Sequence, residues 1–226
     1  METITGTALP RAGAATPPAG SPIEHLTLLL VRHAEPVPPT SRGPRDPVRP
    51  LTEVGRRQAD ELALLLRAEA PHSIVSSPYL RAVQTVRPAA DLMGLGVELL
   101  ADLREWRAGL EPTPNWRDHY LRCWSNPSYA LPGAESHRHA RQRMLAALSG
   151  MVARWLPRGG TVVAGSHGTV ITLALAGIGA PVDVDFWLGM PMPAVYRLGV
   201  DAEGAWSSVS GPGLPAGWSP TAQRQG

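Results

Sequence analysis

The chain of 226 residues reads as an α/β domain, a three-layer sandwich on a mostly parallel central sheet. Two observations predict this. Continuous apolar runs such as LTLLLV at 26–31 suit a central strand covered on both faces, because a half-exposed strand would alternate polar and apolar residues. Segments with helical spacing alternate with those runs, the order in which helical crossovers bring parallel strands side by side.

The elements follow in chain order. Residues 1–21 are rich in Ala, Gly, Thr and Pro without periodicity, the composition of a disordered arm. After the run at 26–31 comes a proline-studded loop, 36–50. LTEVGRRQADELALLLRAEA then brings Val54, Leu62, Leu65 and Leu66 close to helical spacing, with Thr52 as N-cap. SIVSS is a short strand. In SSPYLRAVQTV, Ser77 reads as an N-cap and Pro78 as the first helical residue, where its missing N–H costs nothing; Pro88 is expected to kink or end that helix. VELLADL is a further strand candidate. Residues 135–156 set Met144, Leu145, Leu148, Met151, Val152 and Trp155 on an amphipathic helix. TVVAGSHG is a strand running into a turn, TVITLALAGI an apolar helix, and AVYRLGV the last strand. Residues 211–226 read as a flexible tail, which leaves 22–210 as one folded domain.

Composition narrows the function. A formal net charge of +2 is too weak to argue for nucleic acid or an anionic membrane. The basic residues are all arginine, and the absence of lysine alongside abundant Ala, Gly and Pro points to a GC-rich genome rather than to selection at a site. One cysteine, Cys123, rules out an internal disulfide and a cysteine-based zinc cluster. It has no Cys-x5-Arg loop after it and reads as a packed thiol. No apolar run approaches the ~18 residues of a membrane span, and the first residues lack a signal peptide's basic start and apolar core. A cytoplasmic protein is the default expectation.

Ligands of such sheets bind outside the carboxyl ends of the strands. The strand at 26–31 delivers Arg32 and His33 there, and TVVAG delivers Ser166 and His167. SIV leads to Arg81, and VELLADL leads to Arg104 and Glu105. Arginines bind phosphate bidentately and stay charged, and helices starting near Ser77 and Gly168 add N–H groups. The expected ligand is a phosphoryl group. A histidine among cations is held neutral and is a competent nucleophile. A carboxyl group such as Glu105, with its pKa raised, can protonate the leaving alkoxide and then activate water. The arginines supply the positive charge that a metal provides elsewhere, so no metal and no cofactor is expected.

These motifs resemble the histidine phosphatase superfamily, also called phosphoglycerate mutase-like, over roughly residues 26–200. VRHAE is similar to the family signature, which implies Arg32 as a phosphate ligand and His33 as the phosphorylated nucleophile. PLTEVGRRQA resembles the family's first helix, with Gly55 and Gln58. SSPYLRAVQT resembles its second signature, implying Arg81 as a phosphate ligand. DLREW is similar to the segment of the general acid, which maps to Glu105, with Asp102 the competing carboxylate. LPGAES resembles the Gly-Glu-Ser element, with Arg143 on the helix after it, and AGSHG implies His167, with Gly168, at the phosphate. The resemblance implies a phosphomonoesterase acting on a small phosphorylated metabolite, in the phosphatase branch. The alternative is a mutase using the same phosphohistidine. Pro39 stands where the mutase-like pattern has Asn, which puts the mutase assignment in doubt.

Other residues are given plainer roles. His137 and His139 lie two apart on a helix and point away from each other, so they read as solvated. His25, His72 and His119 read as surface or loop histidines, and Trp106, Trp116 and Trp124 as core. Ser166 lacks a Gly-x-Ser-x-Gly elbow and is a poor nucleophile. The substrate should be written in 36–50 and 110–131. Oligomeric state is open, a homodimer among the arrangements.

Overall fold

Burial on both sides makes Leu26–Arg32 (β1) the centre of the sheet. In the computed structural model, which describes residues 25–43 and 45–220, β1 is joined by Ser73–Ser76 (β2), Val97–Leu99 (β3), Gly160–Ser166 (β4), Ala194–Val200 (β5) and Trp206–Ser210 (β6). The strand order is β3-β2-β4-β1-β5-β6. The first four of these run parallel, and β5 and β6 are antiparallel to their neighbours. The expected 1–21 arm and residues 221–226 lie outside the described residues.

Successive strand residues face opposite layers. Leu26, Leu28 and Leu30 join a core with His137–Trp155 (α4) and Gly168–Gly177 (α5). Leu29 and Val31 face Glu53–Ala68 (α1) and Leu80–Met93 (α2). The short helices Trp116–Ser125 (α3) and Val184–Gly189 (α6) complete the chain. Each leucine buried in this way contributes about 1.5–3 kcal/mol, so the sandwich is a rigid base for the loops at its edge.

Several local expectations are corrected. The buried stripe of α1 is Gly55, Ala59, Leu62, Ala63 and Leu66, while Val54 and Leu65 are 42% and 67% exposed. Small residues take the core side because α1 lies close to the chain before it. A Cβ on Gly55 would stand 2.1 Å from the Glu35 carbonyl oxygen. Thr52 does cap α1, its side chain accepting from the Gly55 N–H at 2.9 Å. Helix α2 starts at Leu80, with Tyr79 as N-cap, so Ser77 is not its cap. It runs through Pro88 because Ala89 and Ala90 continue its buried face. The strand expected in VELLADL is only β3, and a 3-10 turn, Ala101–Leu103, follows it. AVYRLGV is not the last strand: Trp206–Ser210 pairs beyond it. From the segment read as a tail, Leu214 and Trp218 lie against the main core.

Candidate active site

Sheet order places the two histidines together. Arg32 is in register with Ser166 across the β1–β4 pair, and the His33 N–H donates to the Ser166 carbonyl at 3.1 Å. The next residues of both strands are therefore neighbours, and the His33 and His167 rings meet edge to face at 5.2 Å. From β2 the chain passes through Ser77 into α2, whose first turn carries Arg81. From the turn after β3 it reaches Glu105. The structure thus brings Arg32, His33, Arg81, Glu105 and His167 to one edge of the sheet.

His33 is almost fully buried. Its Nδ1 donates to the Ala34 carbonyl at 2.8 Å. That bond fixes the proton on Nδ1 and leaves the Nε2 lone pair available. Ala34 is held in turn, its N–H donating to Thr85 Oγ1 at 2.9 Å. Burial pushes the His33 pKa well below its ordinary value, and the charges of Arg81, Arg32 and Arg49 push the same way. A neutral imidazole with an oriented lone pair among cations is a poised nucleophile.

The cations come from three segments. Arg32 is half-buried, and its guanidinium donates to the Met190 carbonyl and, at 3.4 Å, to that of Pro191. Gly168 makes room for it, since a Cβ there would stand 3.0 Å from Arg32 Nε. Arg81 is 1% exposed. It donates to the Asp46 carbonyl at 2.7 Å and to Asp46 Oδ2 at 3.2 Å. Asp46 also accepts from Arg49 at 2.9 Å, and Arg49 lies close enough to act on both histidines. The loop at 36–50 therefore adds a third arginine and a carboxylate to the site. Sequence reading missed both, because nothing in PRDPVRP tells a pocket-facing arginine from a solvated one.

His167 is fully buried. Its Nε2 meets Ser77 Oγ at 2.8 Å, and that oxygen also accepts from the Tyr79 N–H at 3.2 Å. Nδ1 has no protein partner, and when the Ser77 hydroxyl donates to Nε2 it is Nδ1 that carries the proton. A buried N–H of this kind suits an incoming phosphoryl oxygen. Ser77, expected as a helix cap, instead orients a histidine.

Glu105 lies at the N-terminus of α5. Its carboxylate accepts from the N–H groups of Trp106 at 2.8 Å, Val170 at 3.3 Å and Thr169 at 3.4 Å. Burial pushes its pKa up, and these N–H groups and Arg81 oppose that without cancelling it. A carboxyl group whose proton is held more tightly than usual can serve as an acid. Asp102, the competing carboxylate, is exposed. The neighbours of Glu105 are clamped. Glu135 accepts from Arg104 at 2.8 Å and from Arg143 at 2.8 Å, and Trp106 Nε1 donates to its carbonyl. Burial works against ionisation of Glu135, but the bonds from Arg143 and Arg104 outweigh it and hold the pKa at about 2. Arg143 also donates to the Asp102 and Arg104 carbonyls at 2.6 and 3.0 Å, which ties the acid's segment to the start of α4.

The HxH pair divides as expected, but one half is not solvated. His139 is exposed, whereas His137 is 1% exposed between the Trp106 and Trp124 rings, at 4.4 and 4.7 Å. The first-turn position turns His137 inward onto the aromatic core. Neither ring nitrogen has a protein partner, and burial takes its pKa down to about 4. The unfolded chain takes up this proton near pH 6.5 and the folded chain only near 4, so stability is lost as pH falls through that window. The difference corresponds to about 3 kcal/mol. His137→Phe is expected to flatten this loss, as read by denaturant titrations at pH 7 and pH 4.5. His119, expected at the surface, stacks on Trp106 at 6.1 Å. Trp106 and Trp124 belong to the core or pack against it, but Trp116 is 42% exposed.

A mostly parallel sheet with two facing histidines, three arginines and a carboxyl group at its edge defines a phosphoryl-handling α/β protein. The chain belongs to the histidine phosphatase superfamily, branch 1, whose model matches residues 28–210. It is 33% identical over 186 residues to a probable phosphoglycerate mutase GpmB of Yersinia enterocolitica, covering 76% of this chain and 80% of that one. Among solved structures it is similar to Bacillus stearothermophilus YhfR, with a TM-score of 0.68, 26% identity and 84% and 98% of the two chains covered. It is also similar to a mycobacterial glucosyl-3-phosphoglycerate phosphatase bound to inorganic phosphate, with a TM-score of 0.66, 25% identity and 82% and 95% covered.

Proposed function

We propose that the protein hydrolyses a small phosphomonoester through a phosphohistidine on His33. The observation that carries this is the Nδ1 bond from His33 to Ala34, which leaves the Nε2 lone pair free on a ring surrounded by the charges of Arg32, Arg81 and Arg49. Nε2 attacks phosphorus while Arg32, Arg81, Arg49 and the Nδ1–H of His167 hold the equatorial oxygens. Glu105 gives its proton to the departing alkoxide. Water then attacks the phosphohistidine, with the Glu105 carboxylate as base, and phosphate leaves. Arg81 exchanges its contacts with Asp46 for contacts with the phosphoryl oxygens. No metal is required in this scheme, since the arginines and His167 carry the charge.

Quenching the reaction with a labelled phosphomonoester should leave acid-labile phosphate on His33. The mutase reading, kept in view by the GpmB relatives, predicts interconversion of phosphoglycerates that depends on a bisphosphorylated primer. Primer-independent release of inorganic phosphate decides for hydrolysis.

The Ser77–His167 pair gives a separate expectation. Ser77→Ala should free the His167 tautomer and raise KM for a phosphomonoester about tenfold, the size of one lost charge-assisted or oriented bond. Ser77→Thr should keep most of the affinity. Nitrogen-15 shifts of the His167 ring would show the tautomer becoming mixed in the alanine variant alone.

A further inference from the structure

Between the acid and Arg32 runs a ledge of aromatic rings that the phosphoryl chemistry does not use. It begins at Trp106, the residue after Glu105. Trp106 meets Tyr120 of α3 edge to face at 5.0 Å, and Tyr120 stacks on Trp187 of α6 at 5.5 Å. Trp116 closes the group, 5.3 Å from Tyr120 and 6.4 Å from Trp187. Three residues after Trp187, the Met190 carbonyl accepts from Arg32. Both ends of the ledge are therefore tied to the phosphoryl site, one at the acid and one at a phosphate-binding arginine.

Core packing accounts for Trp106 but not for the outer end. Trp116 is 42% exposed, and Leu188 of α6 and Met192, three residues past its end, are each 40% exposed. Exposed apolar side chains grouped on a surface commonly mark an interaction site. Tyr120 is half-buried between Trp106 and Trp187, and burial, then the charges of Glu105 and Asp46, push its pKa up to about 12 against the opposing charge of Arg49. On the acid's side, Arg104 and Arg143 are bound to Glu135. A carboxylate on the alcohol half of the substrate would have to compete for them.

Building on the phosphatase reading, we propose that the alcohol half of the substrate carries a flat apolar or aromatic ring, uncharged near the ester, which stacks on the Trp116–Tyr120–Trp187 ledge. Trp116, the most exposed ring, is the specificity-determining residue. The phosphoryl end is read by charge and the alcohol end by stacking.

Phenethyl phosphate, glycerol phosphate, 3-phosphoglycerate and phosphoserine test this, because all four are esters of alkyl alcohols and differ mainly in the group beyond the ester. The expected result is a kcat/KM for phenethyl phosphate at least about tenfold above the other three, the size of one good stacking contact. Trp116→Ala should reduce the phenethyl-to-glycerol ratio about tenfold, mostly through KM, and Trp116→Phe should retain much of it. Faster turnover of 3-phosphoglycerate or phosphoserine, or a ratio unmoved in Trp116→Ala, would overturn the proposal while leaving the phosphatase reading intact. Failure of all four substrates to phosphorylate His33 would instead bring down that reading.

Discussion

His33→Ala is expected to lose at least about 10^4-fold in turnover of any phosphomonoester, with no labelled phosphate trapped on the protein. Removing a covalent nucleophile abolishes the two-step route, so the residual rate reflects only binding and electrostatic stabilisation by the remaining cations. Folding should survive, since the ring makes one side-chain hydrogen bond, to the adjacent Ala34 carbonyl. Phosphate binding should survive too, because Arg32, Arg81 and His167 are untouched. Inorganic phosphate binding by calorimetry separates the two effects: retained binding with lost turnover fits a nucleophile. A His33→Ala protein that kept its activity would remove the phosphohistidine mechanism altogether.

The parts of this site that were legible in the sequence are those the sheet itself delivers. Arg32 and His33, or Ser166 and His167, follow a buried strand directly, so knowing the strand fixes where they go. Glu105 is separated from β3 by a 3-10 turn, so the strand end led only to its neighbourhood, and the resemblance of DLREW to a known segment set it above Asp102. Ser77 was visible but misassigned. A serine before proline has the sequence pattern of a helix cap, and only the neighbouring β4 shows that its hydroxyl meets His167 instead. Asp46 and Arg49 were illegible because their role depends on how a proline-rich loop folds back, which no periodicity encodes.

The same division holds for the fold. Continuous apolar runs gave the central strands, while errors arose where tertiary packing overrode a local rule. Pro88 sits inside α2 because the buried alanines after it hold the helix to the sheet. Leu65 fits the helical period yet points to solvent, since close approach of α1 at Gly55 selects small residues for the buried face. His137 is buried without a polar partner because its place in the first turn of α4 faces the tryptophans. A list of polar residues does not carry that information.

Glu105→Gln should give the second large effect, and its size should depend on the leaving group. General acid catalysis contributes about 10^2–10^4-fold where the leaving alkoxide is a strong base. Glutamine keeps the shape and can still accept from the Trp106 and Val170 N–H groups, but it cannot donate a proton of useful acidity. An alkyl phosphate should therefore lose about 10^2-fold or more in phosphorylation of His33. An aryl phosphate with an acidic phenol, which departs without protonation, should lose far less in single-turnover burst rate. The pH profile gives the sign independently. The first step needs Glu105 protonated, and burial raises its pKa, so kcat/KM for an alkyl phosphate falls as pH rises through that raised value. His33, whose pKa burial and the arginines lower, stays neutral across the same range and adds no descent there. In Glu105→Gln the alkaline descent due to this carboxyl should disappear. Equal losses for alkyl and aryl esters, with the descent unchanged, would show that Glu105 only supports the N-terminus of α5 and that another group protonates the leaving oxygen.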